Sequence, residues 1–251
     1  MGLNVKQSQD NIVPLEQLSI IIPTYNEREN LPILIERILK SLNQHNITNY
    51  EIIIVDDNSP DGTGEIAEQL AKQYKNIKVL HRPAKMGLAT AFLDGVKLAK
   101  GNIVALMDAD LQHPPELLPE LYQAILNGYD MAIASRYIKG GGTENWSSKR
   151  KIVSKGAIIL AHILFPESRK IKDITSGYFT IRKDIIQNKK LNPIGYKIML
   201  EIVVKAKPKR IIEIPFIFKS RTKGRSKLSS KEFINYLKHL INLCIECYIA
   251  P

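Results

Sequence analysis

The chain has two cysteines, Cys244 and Cys247, and one tryptophan in 251 residues. Two cysteines cannot staple a fold, so nothing points to a secreted disulfide scaffold. No apolar run reaches the roughly 18–20 residues that cross a bilayer. The opening segment, MGLNVKQSQDNIVPLEQ, holds no apolar stretch of the kind a signal peptide needs. Gly2 follows Met1, but Lys6 stands where a myristoylation signal needs Ser or Thr. No G-x-G-x-x-G follows the first β-rich segment, and no G-x-x-x-x-G-K-[ST] occurs anywhere. Both absences argue against dinucleotide and P-loop sites. There is no internal repeat and no low-complexity tract.

What is present is an ordinary globular composition, 44% apolar, in a chain long enough to bury one large core. The net charge is +11, which points to an anionic partner. The charge is unevenly placed. Residues 1–130 carry 11 basic and 17 acidic side chains, whereas residues 131–251 carry 25 basic and 8 acidic. A uniformly basic nucleic-acid binder would not look like this, and the acidic half would repel a phosphate backbone.

Short β-rich runs alternate with helix-period segments. Strands are expected at Leu18–Ile22, Glu51–Val55, Ile77–His81, Asn102–Met107 and Met131–Ala134. Helices are expected at Asn30–Leu42, Gly62–Tyr74, Gly87–Ala99 and Glu116–Asn127. Continuous apolar strands between helices imply an α/β fold with a mostly parallel sheet covered on both faces. Beyond Gly140 the reading continues with an apolar helix Ile152–Phe165 behind a basic run, strands Phe179–Arg182 and Ile211–Phe218 around a helix Tyr196–Ala206, a basic loop 219–228, and a final helix Lys231–Ile249. The expected organisation is a loose segment 1–17, a catalytic domain 18–228 that divides at residue 135, and a C-terminal amphipathic helix over 229–251.

In such sheets ligands bind at the carboxyl ends of the strands. Four polar clusters fall there: PTYNE, DDNSPDGT, DADLQHPP and SRY. In Asp108-Ala109-Asp110 the two carboxylates lie at i and i+2 and can point into one crevice. Their hard oxygens suit Mg²⁺ or Mn²⁺, and Gln112 adds a neutral oxygen. A lone DxD is as readily a solvated loop, but here three further clusters share its edge. Asp57 can accept hydrogen bonds from a ribose or a base, while Asp61 reads better as a turn and helix cap. Tyr25 can stack on a base and Glu27 can read a donor on it, although Asn26-Glu27 also makes a helix start. His113 lies beside the DxD, in the site or merely in its loop. The five histidines show no ligand spacing, and Cys244-Ile245-Glu246-Cys247 is half a zinc pattern without its other half, so buried thiols are expected. Trp146 stands between the glycine turn and the basic run, on the acceptor side or simply packed.

The ordered set IIPTYNERENL, VDDNSPDGT, MGLATAFLDG, DADLQHPPE, ASRY, GTENWSSKRKIVSKGA, DITSGYFTIRKD and SRTKGRSKL resembles the family 2 glycosyltransferases of GT-A fold. Within that family it is similar to the dolichyl-phosphate mannose synthase and polyprenyl-phosphate glycosyltransferase branch, over about residues 18–240. The resemblance implies inverting transfer of mannose from GDP-mannose to dolichyl or another polyprenyl phosphate, with Mg²⁺ or Mn²⁺. It places Pro23, Tyr25, Glu27, Val55 and Asp57 at the guanosine. Asp108, Ala109, Asp110 and Gln112 fall at metal, diphosphate and sugar, with Asp110 and Gln112 as the metal ligands. Arg136, Lys197, Arg221 and Lys227 meet the donor phosphates and the reaction centre, with Asp108, Arg136 and Arg221 closest to the chemistry. Arg150 and Ser154, with Arg136, hold the acceptor phosphate.

Other donors, such as UDP-glucose, remain open at this stage, as does an inactive regulatory role, which the intact set of acids and arginines disfavours. The basic run Lys149–Lys155 beside an apolar helix fits a membrane interface with anionic lipid, and fits a core-packed helix equally. The expected location is peripheral, at the cytoplasmic face of a membrane. A separate membrane-anchoring subunit is a possible partner, and no nucleic acid is expected.

Overall fold

The computed structural model describes residues 16–219 and 230–249, with the side chains of Ser230 and Lys231 excepted. The loose segment 1–17 therefore falls almost wholly outside the described residues, as do Arg221, Lys227 and most of the basic loop.

Five strands alternate with four helices in the first half: β1 (Leu18–Thr24), α1 (Leu31–Gln44), β2 (Tyr50–Asp56), α2 (Thr63–Gln73), β3 (Ile77–His81), α3 (Leu88–Leu98), β4 (Ile103–Leu106), α4 (Leu118–Leu126) and β5 (Met131–Ser135). The helices form where the apolar spacing demands them. In α1, Leu31, Leu34, Ile35, Ile38 and Leu42 are buried on one stripe, and a proline sits in the first turn, where its missing N–H is no loss. All seven residues of β1 are buried. Alternate residues serve opposite faces: Ile21, Ile53 and Val104 pack with α3, while Ile20, Ile22 and Ile54 pack with α1 and α4. Each fully buried isoleucine contributes roughly 1.5–3 kcal/mol. The α3 contact is close, since a Cβ on Gly95 would come within 2.5 Å of Ile21 Cγ2.

The second half adds β6 (Gly142–Thr143), α5 (Ser148–Leu164), β7 (Phe179–Arg182), α6 (Lys183–Gln187), α7 (Ile198–Ala206), β8 (Ile211–Pro215), β9 (Ile217–Phe218) and α8 (Ser230–Cys244), which ends in a π-helical turn at Ile245–Ile249. The main sheet runs β3-β2-β1-β4-β7-β5-β8. Every pairing is parallel except those of β7, which is antiparallel to both β4 and β5. The expected α/β architecture, with helices on both faces, is thus present. Two details differ from the sequence reading. The basic run 149–155 is not a lead-in but the first turns of α5, capped by the Ser147 hydroxyl, which accepts from the Arg150 N–H. The single strand expected over 211–218 is two: β8 pairs with β5, and β9 pairs with β6 in a separate ribbon. The break follows Pro215, which has no N–H to extend a ladder.

One face of α8 packs on the same core as α3, α5 and α7, through Tyr236, Leu240 and Leu243. Among the described residues no helix is long and apolar enough to cross a membrane.

Candidate active site

The carboxyl ends of β1, β2, β4 and β5 meet at one edge. Because β7 runs the other way, its start lies at that edge too and brings residues 173–178 to the same place. Between these ends and the α5–α8 pair lies a cleft of about 950 Å³. Pro23, Tyr25, Glu27 and Asp57 line one wall, Asp108, Ala109, Asp110 and Gln112 the floor, and Arg136, Arg150, Ser154 and Lys197 the opposite wall. Val55 is the exception among the described candidates: its side chain is fully buried in the core against α3 and does not reach the cleft. As an odd-numbered residue of β2 it shares the α3 face with Ile53.

On the first wall, Tyr25 carries the Lys85 ammonium 3.8 Å above its ring. The buried Glu27 is fixed at both ends: its N–H donates to Thr63 Oγ1 at 2.9 Å, and its carboxylate accepts from Asn30 Nδ2 at 2.7 Å. Asp57 differs from expectation. Its carboxylate accepts from Arg82 Nη1 at 2.6 Å and from the Gly87 N–H at 2.7 Å, so it builds the wall before it meets any ligand. Arg82, to which the sequence reading gave no role, also donates to Gly87 O and Thr90 Oγ1, and so ties the 83–87 loop and α3 to the end of β2. Asp61 has the turn role assigned to it: Oδ1 accepts from the N–H and hydroxyl of Thr63 at the start of α2.

On the floor, Asp110 and Gln112 are buried on either side of Leu111 in the chain, whose φ of +63° is rare for a residue with a bulky side chain. Such strain, of order 1–2 kcal/mol, persists only where the surroundings enforce it. The Gln112 N–H donates to Asp110 Oδ1 at 3.2 Å, and Gln112 Nε2 donates to Lys219 O at 2.7 Å. Oε1 is therefore the end of that amide able to ligate a cation. The donor set is two carboxylates and an amide oxygen, all hard. Among the described residues no group of three or more His, Cys, Asp or Glu forms a closed metal cage. Few protein oxygens with room for phosphate oxygens and water is the arrangement that suits Mg²⁺ or Mn²⁺.

His113 belongs to this floor. Its Nδ1 accepts from the Asp108 N–H at 3.1 Å, and its ring stacks on Tyr178 with centroids 5.1 Å apart. Burial pushes its pKa down to about 4, helped by Arg136 and Lys197 against the pull of Asp110 and Asp173. The imidazole is neutral at physiological pH and orients the DxD backbone.

The far wall is cationic. Arg136 is held by Asp173, which accepts from Nε at 2.7 Å, from Nη2 at 2.6 Å and from the Arg136 N–H at 2.9 Å. The pair raises the guanidinium pKa despite burial, so the charge is permanent. Lys197 donates to Thr175 O at 2.6 Å. Burial, then the neighbouring Arg136, brings its pKa down to about 7, while Asp173 and Asp108 hold it up against Arg150. Arg150 lies 4.0 Å from the Trp146 ring centroid, with Arg136 5.4 Å from the same ring. Trp146 thus borders both guanidiniums and packs edge-to-face with Phe218. Ser154 Oγ accepts from Tyr137 Oη at 2.8 Å. From α8, Glu232, Phe233, Asn235 and Tyr236 also border the cleft, a contribution the sequence reading missed. The Tyr236 hydroxyl donates to Ala157 O at 2.7 Å and pins α8 to α5. Cys244 and Cys247 are free and half-buried, at the edge of the core rather than inside it as expected, and partial burial raises both thiol pKa values.

Residues 19–188 match the model of the glycosyl transferase family 2. The chain is 49% identical over 227 residues to a dolichol-phosphate mannosyltransferase of Pyrococcus furiosus, covering 90% of this chain and 63% of that protein. It is 37% identical over 238 residues to the protein of the same name from Saccharomyces cerevisiae, covering 91% of this chain and 87% of that one. The chain therefore spans less than two thirds of the first relative's length and most of the second's. In three dimensions it resembles glucosyl-3-phosphoglycerate synthase of Mycobacterium tuberculosis, crystallised with Mn²⁺, UDP-glucose and phosphoglyceric acid. The TM-score is 0.65 at 16% identity, covering 91% of this chain and 80% of that one. That likeness concerns the fold, which is the GT-A arrangement read from the sequence. With acids at the strand ends, cations opposite and these relatives along nearly its whole described length, the chain belongs to the family 2 glycosyltransferases.

Proposed function

We propose that the protein transfers mannose from GDP-mannose to dolichyl or another polyprenyl phosphate, with inversion at the anomeric carbon and with a divalent metal. The observation that carries this reading is the pairing, within one cleft, of a hard-oxygen floor with a wall of fixed cations. Such a cleft suits two anionic substrates, one carrying a diphosphate and one a phosphate.

In this reading Asp110 and Gln112 would hold Mg²⁺ or Mn²⁺; when bound, the ion supplies neutralising charge to the leaving diphosphate. Pro23, Tyr25, Glu27 and Asp57 surround the nucleoside. Asp57 retains acceptor capacity beyond its two internal bonds, since a carboxylate offers about four lone-pair sites. Val55 would serve only through its backbone. Asp108, its backbone fixed by His113, orients the sugar. Arg136 and Lys197 offset charge on the diphosphate, and Arg136, Arg150 and Ser154 receive the acceptor phosphate. Arg221 and Lys227 keep their expected phosphate roles as part of the proposal. The acceptor oxygen needs no strong base, because the second pKa of a phosphate monoester is near 6 and the group is largely dianionic at neutral pH. The residues need only bring two polyanions together and hold them in line.

A lipid acceptor calls for a membrane surface, and in this reading the protein works peripherally at its cytoplasmic face. Ile152, Ile159 and Ile163 share one stripe of α5 and are 57–70% exposed, and Ile241 and Ile249 are exposed on α8 and the turn that ends it. Lys149, Lys151 and Lys155 are exposed on the first turns of the same helix. Apolar side chains beside cations suit an anionic lipid interface, whether or not a separate anchoring subunit assists.

The test is Asp110→Ala, assayed for transfer of radiolabelled mannose to a short polyprenyl phosphate across a titration of Mn²⁺. Loss of at least about 100-fold, the scale for removing one preorganised charge-stabilising group, is the expected result. Undiminished metal-dependent transfer would remove the assignment.

A further inference from the structure

The segment Asp173–Thr175 touches two of the three cations of the far wall, Arg136 and Lys197, and has no role in the proposed mechanism. Asp173 is fully buried. It forms three charge-assisted bonds of 2.6–2.9 Å to Arg136. Two residues on, Thr175 Oγ1 accepts from Arg136 Nη2 at 3.2 Å, and Thr175 O accepts from Lys197 Nζ at 2.6 Å. One short stretch of chain therefore sets where both cations stand.

The stretch is itself fixed from behind. Glu213, on β8, accepts from the Asp173 N–H at 3.0 Å with Oε1 and from the Lys172 N–H at 2.8 Å with Oε2. Its Oε1 also accepts from Ser135 Oγ at 2.7 Å, and Ser135 immediately precedes Arg136. Glu213 thus binds the two ends of the Arg136–Asp173 pair to the same strand. Both carboxylates are needed for geometry, since a guanidinium gripped through Nε and Nη2 has its plane fixed. Asp173 also bears on the local charge, because without it only Asp108 remains of the two carboxylates that support the Lys197 ammonium beside Arg136.

We propose that Asp173 is a positioning residue that fixes the orientation of Arg136 and sets the course of the Thr175 backbone on which Lys197 rests, and that Glu213 is the brace that holds Asp173 in place. This rests on the reading of Arg136 and Lys197 as phosphate-contacting groups. It adds two carboxylates that themselves touch no substrate. An acid amid the phosphate-binding cations would otherwise oppose the site's purpose.

The charge effect gives a readout that a merely structural role would not move. The charged groups around Lys197 are Arg136 and Arg150, which push its pKa down, and Asp173 and Asp108, which hold it up. In Asp173→Asn one of the two supports is gone, so Lys197 loses its proton at lower pH. The amide also sets an NH₂ against a guanidinium N–H. The experiment measures kcat/KM for the nucleotide sugar against pH, and GDP binding by calorimetry, for wild type, Asp173→Asn, Asp173→Glu and Glu213→Gln. The expected result is a loss of about 100-fold in Asp173→Asn, with the basic limb of its profile moved to lower pH and partial rescue in Asp173→Glu. Glu213→Gln is expected to fall between, with an unmoved limb, because the Asp173 charge survives. If Asp173→Asn does not fold, Glu213→Gln carries the test: a loss of transfer with native melting behaviour supports the brace, and wild-type kinetics overturn it. An active wild type with an unmoved limb and unchanged kcat/KM in Asp173→Asn overturns this inference alone. A wild type that binds no GDP and transfers no sugar overturns it together with the function it rests on.

Discussion

Replacing Arg82 with methionine removes the cation from a buried pair while keeping most of the side chain's apolar bulk. The Arg82 and Asp57 side chains are 2% and 6% exposed, with Nη1 and Oδ1 2.6 Å apart. Arg82 also donates to Gly87 O at 3.1 Å and Thr90 Oγ1 at 2.8 Å, and its Nε lies 3.3 Å from Asp94. After the change Asp57 keeps only the Gly87 N–H at 2.7 Å. Breaking a buried pair by removing one partner costs about 3–5 kcal/mol, chiefly through the uncompensated charge left behind. Asp57 borders the cleft, where water can reach it, so the lower end, about 3 kcal/mol, is expected. For a domain of this size that lowers Tm by roughly 6–12 °C. The same change frees the 83–87 loop, so GDP binding weakens as well. Urea unfolding of Arg82→Met, Asp57→Asn and the double variant, with GDP calorimetry alongside, checks this. The double variant is expected to lose less than the two singles together, by about 2 kcal/mol. Strict additivity, or an Arg82→Met variant within about 0.5 kcal/mol of wild type, would refute the reasoning.

Two further outcomes follow from other parts of the molecule. His239 on α8 is buried, its Nδ1 accepts from the Ile194 N–H, and burial, then Lys205, depresses its pKa from 6.5 to about 4. The unfolded chain therefore takes up this proton first, and stability is lost as pH falls from 6.5 towards about 4. For this group the slope is up to about 1.4 kcal/mol per pH unit; His239→Gln is expected to unfold in urea with a shallower pH dependence over that window, and an unchanged slope would contradict the assignment. The protein is also expected to float with vesicles containing phosphatidylserine, less so at high salt, and Ile152→Asp combined with Ile163→Asp is expected to abolish flotation without lowering Tm. Wild-type protein that ignores anionic vesicles would contradict the interfacial role of α5.

The local pattern carried most of the architecture. The strands Ile77–His81 and Phe179–Arg182 were legible residue for residue, because short apolar runs were bounded by turn formers. The direction of β7 was not, since a strand's own residues do not encode which way its partners run. That direction had a consequence for function: it carried Asp173, Thr175 and Lys197's anchor to the catalytic edge, and no role had been assigned to Asp173. Arg82 was missed for a similar reason, as its partner Asp57 lies 25 residues away and the link is tertiary. The side-chain direction of Val55 is a matter of pleat. Alternation along β2 turns residues 53 and 55 into the core against α3. The DxD and Gln112 were read from motif and spacing, Arg150 and Ser154 only from the family resemblance, and all of them line one cleft. The share of that cleft contributed by α8 was not, because amphipathicity says which face of a helix is apolar but not what the helix covers.

The measurement that bears most directly on the central claim is transfer itself. The purified protein is incubated with Mg²⁺ or Mn²⁺, a short-chain polyprenyl phosphate and, in parallel, GDP-mannose, UDP-glucose and other nucleotide sugars, and the lipid product is identified by mass. Mannosyl phosphate lipid from GDP-mannose alone, abolished by chelation and restored by metal, is the expected result. Transfer from a different nucleotide sugar, or none from any donor while the metal and both substrates are present, would contradict it.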